Sequence, residues 1–357
     1  MDESSDDEPP DSKKIFPRGK KVILPHGGLP EVVSPYLIKL IEKTGGRKGP
    51  IGRQFIAQPR KERAHHKDGA SDPLAEKEHE VAPGLIYKYK GKINREGKVL
   101  YYGRVLWTIT HFCASYCRFC TRGREVGCQQ SLLSSAEIQK VFDYLKKRKE
   151  INEVIVSGGD PLVTPRPYLT EIMIGLANLQ KEGKIQVIRL GTRLPVHNPV
   201  LVQNWHYRLL AKLKNPYLLV HLNHPAEMSV ATLAVLGKFR KISGATVLSQ
   251  TVFLRGVNDS VKTLCDLFNK MVYEGIRPYY VYQNDPVYWA IHFTVPIKKA
   301  IKIWGKVRPR LSGLAATARF VIDAPFGFGK IPLPEGMAWN VDYSCFFDFK
   351  RRPHKLK

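Results

Sequence analysis

With 357 residues, 43% of them hydrophobic, the chain has enough material for one large α/β domain with appendages or for two ordinary domains. No apolar run approaches the about 18 residues that cross a bilayer, and the start, Met1 to Glu8, is acidic with no apolar signal core. Membrane insertion and export are therefore not expected, and a reducing cytoplasm is. The net charge of +25 is spread along the chain, with denser runs at Lys88–Lys98, Lys146–Lys149 and Lys350–Lys357. No helix-turn-helix or RNA-binding signature accompanies it, so it is read as a surface property, with nucleic acid only the lesser reading.

In chain order, residues 1–20 read as a disordered acidic tail, because they are too polar to offset their chain entropy. Residues 21–103 form an extension. Within it Ser34 caps a helix that begins at Pro35, and 45–80 is a charged, helical and loop-rich lead-in. The aromatic segments Tyr87–Lys90 and Lys98–Tyr102, set around a turn, predict a β-hairpin. From 104 to 325 the pattern is rhythmic. A strand at Arg104–Thr110 is followed by helices near 135–147, 167–182, 199–213, 229–242, 260–273 and 296–308. These alternate with strands at Glu153–Val156, Ile185–Leu190, Tyr217–Val220, Thr246–Leu254, Pro278–Tyr282 and Phe320–Ile322. Repeated βα connectivity predicts a parallel sheet and a partial or full TIM-type (βα)6 barrel. Residues 326–357 make a last loop and a short basic tail.

The loop leaving the first of these strands carries Cys113, Cys117 and Cys120 at the spacing C-x3-C-x2-C. Three thiolates are one short of filling a four-iron cluster, which leaves one iron open to a substrate or cofactor. Zinc is the competing reading, but it usually wants a second pair or added histidines, and Cys128, Cys265 and Cys345 supply neither. Disulfides are disfavoured by the uneven scatter and the expected compartment.

A barrel places its chemistry on the loops after its strands, and several strands here are followed by polar residues. Val156 leads to Ser157-Gly158-Gly159-Asp160, Leu190 to Gly191-Thr192-Arg193, and Val220 to His221-Leu222-Asn223-His224. Tyr282 leads to Asp285, and Ile322 to Asp323-Ala324-Pro325 with Lys330 beyond. Any one of these is also a plausible helix cap or turn residue.

Taken in this order, together with Arg189–Pro195, Leu254–Asp259 and Arg277–Tyr280, these segments resemble the lysine 2,3-aminomutase family of radical S-adenosylmethionine (SAM) enzymes over about residues 80–335. The resemblance implies an isomerase using a [4Fe-4S] cluster, SAM and pyridoxal phosphate (PLP). Cys113, Cys117 and Cys120 would hold the cluster. Phe119, Ser157, Gly158, Gly159, Asp160 and Gln250 would meet SAM, the glycines letting backbone approach it and Asp160 adding a bond to its ammonium. Lys330 would carry PLP as a Schiff base, and Lys88, Tyr89 and Arg104 would hold its phosphate, although about a dozen residues separate them here. Arg122 would fork onto the substrate carboxylate, while Asp285 and Asp323 would take a distant ammonium, which favours L-lysine. The implied partners are an amino acid, an electron donor of the flavodoxin or ferredoxin kind, and a second copy of the chain.

The sequence departs from the family in places. Phe326 and Phe328 interrupt the glycine run before the lysine, and Pro286–Trp289 is bulkier than expected, so the pocket is expected to differ. Only Cys345 lies near the family's zinc-binding tail, and Ser260 stands where another zinc ligand would be, so no zinc and an altered oligomer contact are expected. The alternatives are an aminomutase for arginine or glutamate, one for a protein-bound lysine as in elongation factor P, an RNA-modifying iron–sulfur protein, and a relative whose altered loop no longer holds PLP.

Overall fold

The structure, a computed structural model, describes residues 29–64, 67, 69–127, 132–324, 329–334, 345–347 and 352–355. The tail 1–20 and the loop residues Phe326 and Phe328 lie outside these. The extension begins with the expected helix, Pro35–Lys43, whose first turn is capped by the Ser34 hydroxyl accepting from Leu37 N at 3.1 Å. Two shorter helices follow at Pro50–Phe55 and Pro59–Ala64, each opened by a proline in the position where its missing N–H costs nothing.

Strands β1 (Glu80–Ala82) and β2 (Leu85–Tyr89) lead into a small hairpin of β3 (Lys92–Ile93) and β4 (Val99–Tyr101), and then into β5 (Gly103–Thr108). This corrects the predicted hairpin. Tyr87 and Tyr89 do not pair in the sheet with the second aromatic segment, although the Tyr89 ring lies near that of Tyr101. They pair with Val105 and Arg104 of β5 in an antiparallel ladder, and β3 and β4 alone form the turn. Leu85, Ile86 and Tyr87 are buried, and such a run is stabilised only against a sheet that can cover it.

From β5 the chain alternates as expected through β6 (Ile151–Ser157), β7 (Val187–Thr192), β8 (Tyr217–His221), β9 (Thr246–Phe253), β10 (Arg277–Gln283) and β11 (Arg319–Asp323). These seven strands are parallel neighbours in sequence order, and six helical crossovers join them. Several helices start on serine caps, such as the reciprocal Ser134–Glu137 box before Ser135–Lys147, while Arg166–Lys181 and Ile297–Val307 follow prolines. Ser260, expected at a lost zinc position, caps the helix Val261–Tyr273. The predicted helix near 199–213 is shorter. Pro199 opens a single 3-10 turn, and the α-helix runs only Asn204–Leu210.

The sheet ends in β1–β2 on one edge and in β12 (Lys330–Pro332) on the other, and these edge strands do not pair. The barrel is therefore partial. Its strands alternate: Val154 and Val156 face the helices and are fully buried, while Ile155 and Ser157 face the lumen, as the two-residue period of a strand requires.

The extension holds the cysteine loop, which has no regular structure of its own. Tyr116 N donates to Val32 O at 3.0 Å and Arg118 N to Gln54 O at 2.7 Å. The Arg118 guanidinium is fully buried on Glu62, at 3.0 Å from Nε and 2.6 Å from Nη2, and also donates to Leu29 O at 3.0 Å. Breaking a buried ion pair by removing one partner strands the other charge, at a cost of about 3–5 kcal/mol. Arg118→Met is thus expected to lower the denaturation midpoint clearly and to weaken iron incorporation with it. An unchanged midpoint would show that this pair does not hold the loop.

Candidate active site

The lumen opens into a cavity of about 520 Å³ that is lined by the cysteine loop, the ends of β6 to β11, and Lys88 and Arg104 from β2 and β5. At one end Cys113, Cys117 and Cys120 are free thiols. Burial raises the pKa of all three, that of Cys120 to about 11, so a metal must displace their protons. Among the described residues no three His, Cys, Asp or Glu side chains converge on a single ion. The three thiols line the same cavity, and a four-iron cluster held there would take each sulfur on a different iron. Cys117 Sγ accepts from Arg193 Nη1 at 2.9 Å. Phe119 is buried against His221 and Phe293, with ring centroids 5.4 and 6.1 Å away.

Ser157, Gly158, Gly159, Asp160 and Gln250 also line the cavity. The two glycines answer first to the protein itself. A Cβ on Gly158, at φ 122, would meet Thr110 O at 2.3 Å, and one on Gly159 would meet Phe112 O at 2.1 Å. The turn after β6 packs directly under the cysteine-loop backbone, and only glycine allows that approach. Asp160 is also engaged within the chain. Its carboxylate accepts from Thr192 Oγ1 at 2.8 Å, from Arg193 N at 2.7 Å and from Leu162 N at 3.1 Å, which ties the end of β6 to that of β7. Burial pushes its pKa up to about 6, against those bonds.

At the other end Lys330 opens β12 directly across from Asp323. Its Nζ lies 2.6 Å from Asp323 Oδ1 and 4.7 Å from the centre of the Tyr282 ring. Burial, with Lys88 and Arg104 nearby, lowers its pKa against the pull of Asp323. Asp285 has no ion pair among the described residues. Burial and then the Asp323 charge raise its pKa to about 7.

Lys88 and Arg104 both line the cavity, but Tyr89 does not. It is 53% exposed and lies against Tyr101, because along β2 it points opposite to Lys88. Arg122 lines the cavity and is anchored by a residue that the sequence reading missed. Glu76 accepts from its Nε at 2.7 Å and its Nη2 at 2.8 Å, and from Lys88 Nζ at 2.7 Å. Burial opposes ionisation of Glu76, yet the two cations hold its carboxyl well below the usual range. Nothing in the charged lead-in marked it out from its neighbours. The bulky segment after Asp285 does not line the cavity. Val287 and Trp289 turn into the packing beneath the cysteine loop, and Trp289 Nε1 donates to Cys120 O at 3.1 Å.

The sequence profile of the Radical SAM superfamily matches residues 107–268. The chain is 34% identical over 315 residues to the L-lysine 2,3-aminomutase of Methanococcus maripaludis, covering 88% of this chain and 69% of that protein. It is 32% identical over 301 residues to the L-lysine 2,3-aminomutase of Clostridium subterminale, covering 84% and 68%. It is also 32% identical over 233 residues to the glutamate 2,3-aminomutase of Clostridioides difficile, covering 65% and 54%.

The state of Asp285 can be read from stability alone. With a folded pKa of about 7 and an unfolded value of about 4, the native protein binds more protons than the unfolded chain between those values. Its contribution to stability therefore falls as pH rises through that window and levels off above it. In cofactor-free protein, Asp285→Asn is expected to gain on the wild type in urea midpoint from pH 5 to pH 7 and to hold that gain at pH 8. Parallel curves would place the aspartate in an ordinary, solvated setting.

Proposed function

This chain belongs to the lysine 2,3-aminomutase family of radical SAM enzymes, and we propose that it acts on L-lysine, moving the α-amino group to Cβ to give β-lysine. The observation that carries the substrate is the acidic end of the cavity, where Asp285 and Asp323 stand beside Lys330. An iron–sulfur cluster with SAM supplies the radical that starts and ends the rearrangement, and PLP supplies the π system that carries the migrating nitrogen.

The residues divide that work by charge. Cys113, Cys117 and Cys120 hold the cluster as thiolates. Lys88 and Arg104 would meet the cofactor's phosphate, and Lys330, beside Asp323, would bind its carbonyl carbon. Its lowered pKa favours the neutral amine that this bond requires. Asp285 and Asp323 would face the substrate's distal ammonium. Arg122 offers its guanidinium to the substrate carboxylate, oriented by the fork to Glu76. A glutamate side chain would set a third carboxylate beside Asp285 and Asp323, and like charges crowded in a buried site are costly. The cluster draws its electron from a low-potential one-electron donor.

The test is an anaerobic assay of the reconstituted protein with SAM, PLP, a reductant and L-lysine, with the amino acids derivatised, separated by chromatography and identified by mass spectrometry. β-Lysine is expected, and it is expected to vanish in Cys117→Ala and Lys330→Ala. Asp285→Asn should raise KM for lysine by at least about 30-fold, the loss of one charge partner. Formation of 5′-deoxyadenosine with lysine unchanged would leave the cluster reading standing and remove the substrate reading. Arginine, glutamate and a protein-bound lysine would then be tried in turn.

A further inference from the structure

Arg193 follows β7 and is 5% exposed. Its guanidinium lies between two rings, 4.9 Å from the centre of Phe55 and 5.2 Å from that of Phe119. Nη2 donates to Gln54 Oε1 at 2.6 Å and to Glu227 Oε1 at 3.1 Å, and Nη1 donates to Cys117 Sγ at 2.9 Å. The two acceptors are themselves fixed. Gln54 Nε2 donates to Glu227 Oε1 at 2.7 Å, Asn223 Nδ2 to Gln54 Oε1 at 2.9 Å, and Asn223 N to Glu227 Oε2 at 2.8 Å. Gln54, Asn223 and Glu227 are all fully buried. A buried cation is thus built, stacked and braced with one N–H aimed at one of the three thiols.

We propose that Arg193 is a positioning residue that sets the reduction potential of the cluster held by Cys117, and that Glu227 moderates it. This rests on the reading of the three cysteines as cluster ligands. Reduction adds one electron from an external donor, with no bond made or broken, and that charge spreads onto the cysteine sulfurs. A fixed N–H donor and a cation beside one sulfur stabilise the electron-rich state and raise the potential. Glu227, one bond further away, acts with the opposite sign. Because the group is locked by rings and hydrogen bonds, it does not reorganise when the electron arrives. Gln54 comes from the helix Pro50–Phe55, so the extension takes part in the setting.

The experiment is a redox titration of the reconstituted full chain without SAM, using dye mediators and following the electron paramagnetic resonance of the reduced cluster. Arg193→Met is expected to shift the one-electron reduction equilibrium about tenfold toward the oxidised form, a fall of about 59 mV. Glu227→Gln is expected to shift it the other way, and Arg193→Lys, which keeps the charge but loses the fork, to fall between wild type and Arg193→Met. Damage to the fold alone would lower iron content without producing shifts of opposite sign. Wild-type potentials in Arg193→Met and Glu227→Gln at full iron content, or shifts in the same direction, would overturn the proposal. If Arg193→Met does not assemble a cluster, Glu227→Gln decides it: a rise supports the proposal and an unchanged value defeats it. A wild-type chain that fails to assemble four irons would instead defeat the reading of the cysteines.

Discussion

The loop that presents three thiols to one cavity has neither helix nor strand to hold its shape, so it depends on partners outside itself. The buried pair of Arg118 and Glu62 answers this constraint. Arg118 lies between Cys117 and Cys120, and its guanidinium reaches away from the cavity into a fully buried carboxylate of the extension. A bidentate fork fixes orientation as well as distance, so the residue between two of the cysteines is locked while their thiols line the cavity. The backbone bonds from Tyr116 and Arg118 to Val32 and Gln54, and the Trp289 indole on Cys120 O, hold the rest of the loop from two other sides.

Inside the cavity the same economy of charge recurs, with one exception. Arg122 and Lys88 share Glu76, Lys330 faces Asp323, and Arg193 faces Glu227. Asp285 alone among the carboxylates that line the cavity has neither an ion pair nor a recorded side-chain hydrogen bond among the described residues. Burying a charge without a partner is costly, and the group responds by keeping its proton. That exception holds among the carboxylates; Arg104, which also lines the cavity, has no ion pair among the described residues.

Much of this was legible in the sequence because βα repetition is a local signal. Each strand announced itself as a short apolar run, the helix after Ser34 by its cap, and several of the polar residues after the strands, Asp160, Arg193, His221, Asp285 and Asp323 among them, line the cavity. The misreadings came where the outcome depends on distant partners. Tyr87 and Tyr89 looked like half of a hairpin, and only the presence of β5 alongside shows why β2 pairs there. The glycines after β6 pointed to a close approach, but the sequence could not say that what approaches is Thr110 and Phe112 of the cysteine loop. Asp160 was placed at the cavity, yet its oxygens were already spoken for by Thr192 and Arg193, more than thirty residues away. Pro286–Trp289 was expected to alter the pocket by its bulk, whereas Val287 and Trp289 are buried in the packing with Phe119 and Tyr116 of the cysteine loop.

The boundary drawn near residue 103 is therefore one of pattern and not of energy. Three arginines around the cysteines, Arg118, Arg122 and Arg193, come from the barrel segment, and each is met by a residue of the lead-in: Glu62, Glu76 and Gln54 respectively. Without that lead-in Arg118 and Arg122 would lose the carboxylates that pair with them. The extension in turn has little apolar surface of its own, chiefly the small cluster of Leu37, Ile41, Ile51 and Phe55, too little to offset its chain entropy. Each part supplies what the other lacks. The segment that looked least informative in the sequence, charged and weakly periodic, owes that appearance to its role, because its acidic and amide side chains are spaced to meet cations on another part of the chain.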